Sequence, residues 1–334
     1  MKIIIIIIFI IIVLIDTYVT YKNINIFENF NDNKKEIFIG VEHNGEWGKQ
    51  VLNNLLLYTY PNSKLTWIMS PKDKNASKIN MIIRSDTGGN GSIYNKKVPY
   101  IVFSGESYMN NVPIDNSKSI LFLGPIKTNK NLLWMPYCLS SPYIYKKRID
   151  TTINRSFLLA YCSSNCINYR ENFFKMFVEK SNSNLCHSLG SCSGGLKKIH
   201  KKIEGVWSDN TIIEYYKKYK FVIAFENSIG DYYITEKILN AFYSGAIPIY
   251  SGSSKIKELF NEKAFICLQD FENDEKCIEY ILNLTDKQRA DMMSEPIYNK
   301  NSDLIHIFNK EYNTEKHNKV LQAYINTFKN VIDN

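Results

Sequence analysis

A polar loop and the helix start that follows it, within residues 221–252, carry residue types suited to an anionic ligand. The apolar run Phe221–Phe225 predicts a buried strand, and Thr235 is a suitable N-cap for a helix whose first turn holds Glu236 and Lys237. Ligands of open α/β sheets bind where strands end, and a helix amino terminus offers free N–H groups there. Lys237 opposes the helix dipole, which makes sense if its ammonium binds a phosphate, while Glu236 would accept ribose hydroxyls. An ordinary capped amphipathic helix is the alternative.

The elements that position this loop follow from alternating apolar runs and helical stretches, a pattern typical of an α/β protein with largely parallel sheets. Two α/β units facing each other across a cleft are predicted, over residues 37–150 and 151–310, with a carboxy-terminal helix over 311–334. Predicted strands are Ile37–Val41, Leu65–Met69, Met81–Ile83, Tyr100–Phe103, Ile120–Leu123, Phe157–Cys162, Phe221–Phe225 and Ala246–Tyr250. Predicted helices are one around Trp47–Leu56, then Arg170–Lys180, Ile212–Tyr219 and Thr235–Ser244.

The amino terminus predicts a membrane anchor. Ile3–Ile15 is uninterrupted and apolar, and it reaches the lower limit of a membrane span when Thr17, Tyr18 and Val19 are added. A cleaved signal peptide needs small residues before the cut, and Asp16–Ile26 contains no Ala, Gly or Ser. We therefore favour an uncleaved signal anchor over residues 1–20 and a polar stem over 21–36. This predicts a single-pass type II protein of a Golgi-type secretory membrane, with its catalytic part in the lumen.

Two sets of residues fit an oxidising compartment. The seven cysteines include three pairs that are close in sequence and suited to disulfides, with Cys138 left over. No C-x-x-C or nearby His pair favours a zinc site instead. The cysteine pairs are Cys162 with Cys166, Cys186 with Cys192, and Cys267 with Cys277; Asn-X-Ser/Thr triplets start at Asn75, Asn90, Asn154 and Asn283.

The formal net charge of +8 favours phosphates, a membrane surface or nucleic acid as partners, with a mildly basic solvated surface as the alternative. The basic residues are scattered, and no aromatic-basic RNA motif is present. Nucleic acid is therefore not expected as a partner.

The hallmark of a known family is present in residues 225–248. This stretch resembles the α1,3-fucosyltransferases, which carry a Phe-Glu-Asn-Ser loop, then Asp-Tyr-Ile-Thr-Glu-Lys, then an Ala/Gly-X-X-Pro turn. Here these parts are Phe225–Ser228, Asp231–Lys237 with one extra Tyr, and Gly245–Pro248. The similarity extends more weakly from about Ile37 to the carboxy terminus. It implies a GT-B fold of two Rossmann-like domains, the second binding GDP-fucose and the first the acceptor, with inversion at the anomeric carbon.

The resemblance also implies a donor site and a base. The donor residues carried over are Asn227, Tyr233, Glu236, Lys237 and Arg170, the last following the Cys162–Cys166 loop. A bidentate guanidinium on a diphosphate suits leaving-group stabilisation. The alternative for Arg170 is a surface residue paired with Glu171 or Glu179. The loop Ser191–Gly195 matches a family loop of the form Gly-X-Cys-Gly and is expected near the guanine.

Glu106 is the candidate general base. It follows the predicted strand Tyr100–Phe103 in a Ser-Gly-Glu turn that resembles the family's Thr/Ser-Gly-Glu, and small residues there let a carboxylate project into the cleft. A solvated turn glutamate is the alternative. Rivals are Glu42 and Glu46, with His43 as a structural loop residue or an acceptor contact.

The expected activity is fucose transfer from GDP-fucose to a hydroxyl of an N-acetylglucosamine-containing glycan, on a glycoprotein or glycolipid. No Asp-X-Asp motif suited to Mn²⁺ precedes a strand end, so no cofactor is expected, and metal-independent or weakly metal-stimulated activity is predicted. The alternatives are a GT-B transferase that uses another nucleotide sugar and an inactive, membrane-tethered glycan-binding protein.

Overall fold

The computed structural model describes residues 35–89, 91–107, 120–124, 132–140, 154–182, 184–196, 199–204, 211–230, 233–302, 325–330 and 333. The predicted anchor and all but the last two residues of the predicted stem lie outside these ranges, as do most residues of the predicted carboxy-terminal helix. Within the described ranges, no helix combines the length and the apolar character that a membrane span needs.

The first sheet has six strands, all parallel, in the order β2-β1-β3-β4-β5-β6. Parallel strands buried on both faces are near-continuously apolar, as in Tyr100–Phe103, where all four residues are buried. The strands are β1 Glu36–Glu42, β2 Lys64–Ile68, β3 Met81–Ser85, β4 Tyr100–Phe103, β5 Ile120–Gly124 and β6 Leu132–Trp134.

The second sheet has five strands, also all parallel, in the order β11-β10-β9-β7-β8. Its central strand, β9, pairs with β10 on one side and β7 on the other, so the loop after β9 leaves from the middle of the sheet. The strands are β7 Phe157–Tyr161, β8 Cys186–Ser188, β9 Tyr219–Phe225, β10 Ile247–Ser251 and β11 Ile266–Cys267.

Helices connect the strands and cover the sheets. The helix that follows β9 buries Ile238 and Phe242, and Ile234 just before it is buried too, as their i, i+4 spacing predicts. The helix before β8 buries Phe173, Phe174 and Phe177. The α-helices are α1 Lys49–Thr59, α2 Asn168–Ser181, α3 Thr211–Tyr216, α4 Glu236–Tyr243, α5 Ile256–Leu259, α6 Asp274–Leu282 and α7 Asp286–Ser294. Residues 325–330 are also helical.

The predicted helices and strands need two corrections. The helix predicted over Ile212–Tyr219 ends at Tyr216, because Tyr219 already belongs to β9 and pairs with Phe157. The short strands β6 and β8 were not predicted, since three residues give too little periodicity to separate a strand from a loop. The two-sheet α/β architecture itself is confirmed.

One apolar cluster joins the two sheets. Cys138, in a short 3₁₀ turn after β6, is fully buried, and its N–H donates to the carbonyl of Ile234 at 2.9 Å, just before α4. Leu123 from the first sheet and Val222 from the second belong to the same cluster. This packing fixes the loop after β9 relative to the end of the first sheet.

Candidate active site

Arg170 and Asn227 meet at the carboxyl end of β9. The Arg170 side chain, in the first turn of α2, is buried and donates to the Phe225 carbonyl at 3.3 Å and to Oδ1 of Asn227 at 2.8 Å. Its second terminal nitrogen donates to the carbonyl of Asn165. Asn227 itself is exposed. A guanidinium held by three acceptors beside an exposed amide forms a rigid, cationic strand end.

Lys237 adds a second cation to the same strand end. Its Nζ lies 3.0 Å from Oγ1 of Thr235, 3.6 Å from a Glu226 oxygen and 3.7 Å from a Glu236 oxygen. Burial works against the charged amine, but Glu236 and Glu226 outweigh it and raise the pKa of Lys237. The charge of Arg170 acts in the opposite direction on this pKa, so the two cations are close enough to interact. The structure thus brings Arg170, Asn227, Glu236 and Lys237 together.

Glu226 is a buried positioning residue to which the sequence patterns assigned no role. Its carboxylate is completely buried and accepts hydrogen bonds from N and Oγ1 of Thr235, both at 2.7 Å. Thr235 occupies the predicted N-cap position of α4, but its side chain makes no capping bond to the helix: its hydroxyl donates to Glu226 and accepts from Nζ of Lys237. Burial raises the pKa of Glu226, and Lys237 opposes that rise. Glu226 therefore fixes the start of α4 and the position of Lys237.

Tyr233 connects the donor-side residues to Glu106 of the first sheet. Its side chain is buried, and burial followed by the carboxylates of Glu226, Glu106 and Glu236 raises the pKa of Tyr233. Glu106 is half-buried in the turn that leaves β4, three residues after Phe103, and its own N–H donates to Oγ of Ser104 at 3.2 Å. Among the described residues, no cation pairs with the Glu106 carboxylate. The predicted base therefore lies within electrostatic range of Tyr233, one of the predicted donor residues.

The position of Glu106 depends on the glycine that precedes it, Gly105. A Cβ added at Gly105 would lie 2.8 Å from the ring of Tyr137, in the turn that follows β6. Glycine therefore lets the chain pass this ring and turn Glu106 out of the strand, as the small residues before it predict.

Glu42, the first rival for the base, is a buried structural residue. Its carboxylate pairs with the buried Arg84 at 3.4 Å and accepts from the N–H of Ile93 at 3.0 Å. Burial raises the pKa of Glu42 despite these partners. His43 is a structural loop residue, as expected: its Nδ1 accepts from the N–H of Gly89 at 3.1 Å and its Nε2 lies 3.1 Å from the Gly91 carbonyl. Glu46 is exposed.

The alternative for Arg170, a surface residue paired with Glu171 or Glu179, is wrong because Arg170 is buried. Glu171 turns away from it, accepting from the Tyr161 hydroxyl at 2.5 Å and from the N–H of Gly194 at 2.6 Å. Glu179 lies 3.9 Å from Lys175. Both carboxylates therefore serve other groups, and the Arg170 charge remains directed at the end of β9.

The single disulfide links one cysteine from each of two predicted pairs, so neither of those pairs forms. Cys166, before α2, is bonded to Cys192, after β8, and the other five cysteines are free. Neither of these two predicted pairs forms, because the thiols of Cys162, just after β7, and Cys186, the first residue of β8, lie inside the protein. Cys162 is half-buried near Tyr216, and Cys186 is buried beside Ser181.

The arrangement suits transfer of a group from an anionic leaving group to a hydroxyl. Arg170 and Lys237 supply positive charge for a departing diphosphate, and Glu106 supplies a carboxylate for the proton of an attacking hydroxyl. Within the described ranges, no cluster of three or more His, Cys, Asp or Glu side chains has the geometry to hold a metal ion.

Sequence comparison identifies the second half of the chain. Residues 152–294 match the family model described as glycosyltransferase family 10 (fucosyltransferase), C-terminal part. An α-(1,3)-fucosyltransferase of Helicobacter pylori is 43% identical over 84 residues, which are 25% of this chain and 18% of that protein. A putative fucosyltransferase of Acanthamoeba polyphaga mimivirus is 36% identical over 117 residues, 33% of this chain and 19% of that protein. The matches thus span less than a fifth of these relatives' length.

Structural comparison covers nearly the whole chain. A crystal structure of an α1,3-fucosyltransferase with GDP-fucose superposes with a TM-score of 0.58, covering 91% of this chain and 93% of that chain at 20% sequence identity. The likeness shows that both sheets adopt the fold of that structure. Residues 152–294 thus resemble the glycosyltransferase family 10 (fucosyltransferase) model, and the chain shares the fold of a structurally characterised α1,3-fucosyltransferase.

Proposed function

We propose that this protein transfers fucose from GDP-fucose to a hydroxyl of a glycan. The observation that carries the proposal is the convergence of Arg170 and Lys237 at the end of β9, beside the exposed Asn227. A diphosphate needs such a pair of cations, and a carboxylate such as Glu236 suits the ribose hydroxyls next to it. The names of the relatives, and the GDP-fucose bound in a protein of the same fold, support fucose as the transferred sugar.

The reaction proposed is a single displacement with inversion. The acceptor oxygen attacks the anomeric carbon of fucose while the bond from that carbon to the β-phosphate oxygen breaks. Glu106 takes the hydroxyl proton, and the electron pair of the broken bond leaves with GDP. Arg170 and Lys237 stabilise the charge that develops on the departing diphosphate.

Glu106 is preferred as the base because its carboxylate has no cation partner among the described residues and lies near Tyr233. Glu42 is neutralised in a buried pair with Arg84 and would have to break that pair to accept a proton from substrate. Tyr233, whose pKa is raised by burial and by nearby carboxylates, keeps its hydroxyl protonated, and its proposed role is to donate a hydrogen bond to the sugar nucleotide.

The acceptor class we propose is a glycan that contains N-acetylglucosamine, fucosylated with α1,3 linkage on a glycoprotein or glycolipid. The H. pylori relative's name supports the linkage. We also propose that no metal is required, because Arg170 and Lys237 supply the positive charge that a divalent ion would bring. Full loss of activity on chelation, restored by Mn²⁺, would contradict this part of the proposal.

Attachment to a Golgi-type membrane through residues 1–20 is a further part of the proposal. The apolar run Ile3–Ile15 supports it, and the Cys166–Cys192 disulfide supports an oxidising compartment for the catalytic part. Extraction of the full chain from cell membranes with alkaline carbonate tests the anchor. We expect the protein to stay in the membrane pellet, and its release into the supernatant would contradict the proposed anchor.

The test of the activity incubates the full chain with N-acetyllactosamine and one donor at a time: GDP-fucose, GDP-mannose or UDP-galactose. The expected result is a fucosylated product and an equal amount of free GDP, with GDP-fucose alone. A product with another donor would favour a transferase for a different nucleotide sugar. Folded protein that binds the glycan but forms no product would favour the inactive glycan-binding alternative.

A further inference from the structure

Two loops on the donor side of the second sheet are joined along their length. One follows β7 and the other follows β8. The N–H of Cys192 donates to the carbonyl of Ser163 at 3.0 Å, and the Cys166–Cys192 disulfide closes the contact. Gly190 packs so closely on the first loop that an added Cβ would lie 2.2 Å from the Ser163 carbonyl oxygen. The two loops therefore form one unit, called here the paired loops (residues 162–166 and 190–194).

The paired loops hold Arg170 from one side. The residue before Cys166 is Asn165, whose carbonyl accepts from the Arg170 guanidinium and from the Ser163 hydroxyl at 2.9 Å. On its other side the guanidinium is held by Phe225 and Asn227. The direction of Arg170 toward the cleft thus depends on where the peptide bond beside Cys166 lies.

We infer that the Cys166–Cys192 disulfide is a positioning element for Arg170, acting through the Asn165 carbonyl, and that reducing it weakens binding of the diphosphate. The inference rests on the proposed donor site. Cys166 is exposed, so a reductant reaches the bond, whereas Cys192 is buried beneath it.

Reduction should loosen the loops without unfolding the domain, because a second link remains. Glu171, next to Arg170, accepts from the N–H of Gly194 at 2.6 Å and from the Tyr161 hydroxyl. This link ties the second loop to α2 and to β7 independently of the disulfide. In the first loop the Cys192–Ser163 hydrogen bond also remains, but the Asn165 carbonyl itself accepts only from Ser163, Ile167 and Arg170 among the described residues, all close in sequence. The freedom gained on reduction should therefore fall on the carbonyl that holds Arg170.

The experiment measures GDP binding to the full chain by calorimetry before and after treatment with dithiothreitol. Roughly tenfold weaker binding after reduction is expected, the loss that accompanies one charge-assisted hydrogen bond. The double variant Cys166→Ser/Cys192→Ser should bind GDP as the reduced protein does and ignore the reductant. Cys267→Ser is the matched control. The serine hydroxyl replaces a free thiol that donates a hydrogen bond to Gln269, so GDP affinity and its change on reduction should stay as in the wild type.

Two further measurements separate positioning of Arg170 from general loosening. Guanosine lacks the diphosphate, so its binding should change little on reduction. In Arg170→Lys, whose amine cannot bridge the same acceptors, reduction should add little to the loss already caused by the substitution. Equal weakening of guanosine and GDP, or a full additional loss in Arg170→Lys, would overturn the inference. Absence of GDP binding in the oxidised protein would instead refute the proposed function, and equal affinity before and after reduction would refute the inference alone.

Discussion

The carboxyl ends of the two sheets use charge in opposite ways. In the first sheet, Glu42 and Arg84 form a buried pair, and Arg84 also donates to the carbonyls of the loop at residues 89–91. In the second sheet, Arg170 and Lys237 stand beside an exposed amide, with their positive charges partly balanced by Glu226 and Glu236. The first arrangement is complete without a ligand; the second has positive charge available for one.

The contrast shows why residue type at a strand end does not by itself identify a catalytic group. Glu42 ends β1 and Glu106 follows β4, both strands of the first sheet. Glu42 is buried and paired with an arginine, whereas Glu106 is half-buried near Tyr233 and has no cation partner among the described residues. A buried ion pair adds little stability compared with apolar residues in the same place, but removing one partner destabilises the fold strongly. Substitutions at the two ends should therefore separate stability from activity.

The largest effect on activity is expected for Glu106→Gln. Removing the general base should lower kcat by roughly 10²–10⁴ while leaving GDP affinity and thermal stability near those of the wild type. Turnover and calorimetry on the same preparation measure both. Normal turnover would remove Glu106 from the mechanism and direct attention to the exposed Glu46.

The largest effect on stability is expected for Glu42→Gln. The neutral side chain leaves the buried Arg84 charge without its partner, which should lower the free energy of unfolding by about 3–5 kcal/mol. Urea unfolding measures this, and kcat of the remaining folded enzyme should stay near the wild-type value. Glu46→Gln, four residues further along the chain and exposed, is the control. A catalytic loss without a stability loss would mean that Glu42 acts in the reaction.

Lys237→Ala should weaken GDP binding roughly tenfold to a hundredfold, the loss expected for hydrogen bonds to a charged group. Some stability should be lost with it, because Glu226 is buried and loses its nearest cation. Calorimetry and thermal unfolding separate the two effects. Unchanged GDP affinity with lowered stability would make Lys237 a structural residue.

The smallest effect is the pH dependence of that stability loss. Burial raises the pKa of Glu226 above its ordinary value of about 4.5, so the folded protein holds this proton more tightly than the unfolded chain does. Stability linked to Glu226 therefore increases as pH falls through the folded pKa toward 4.5. Without Lys237 the folded pKa rises further, and the stability gap between Lys237→Ala and the wild type should narrow between pH 8 and pH 5. A constant gap would mean that Glu226 is not the group affected.

Much of the second sheet was predictable because its apolar runs are long and its helices have clear stripes. Phe173, Phe174 and Phe177 are buried as their spacing indicates, and α4 differs from the prediction by one residue at each end. The predicted donor residues lie in one short stretch plus a single arginine, and the structure brings Arg170, Asn227, Glu236 and Lys237 together at the end of β9. Their mutual contacts follow from the strand order, which places β9 in the centre.

The remainder depends on contacts between distant parts of the chain, which local patterns do not record. Glu226 lies in the hallmark loop, but its role does not follow from the sequence, since only the structure shows that its carboxylate accepts hydrogen bonds from Thr235. The disulfide crosses two predicted pairs because β7 and β8 are neighbours in the sheet. Glu42 differs from Glu106 through its partner Arg84, which lies 42 residues further along the chain.

The central claim is that the cations at the end of β9 bind the diphosphate of GDP-fucose. Calorimetry on the full chain without added metal, titrating GDP, GDP-fucose, GDP-mannose and UDP-galactose in turn, tests it most directly. The account predicts tight binding of GDP and GDP-fucose, weakened in Lys237→Ala, and no binding of UDP-galactose. Folded protein that binds no guanine nucleotide would contradict it.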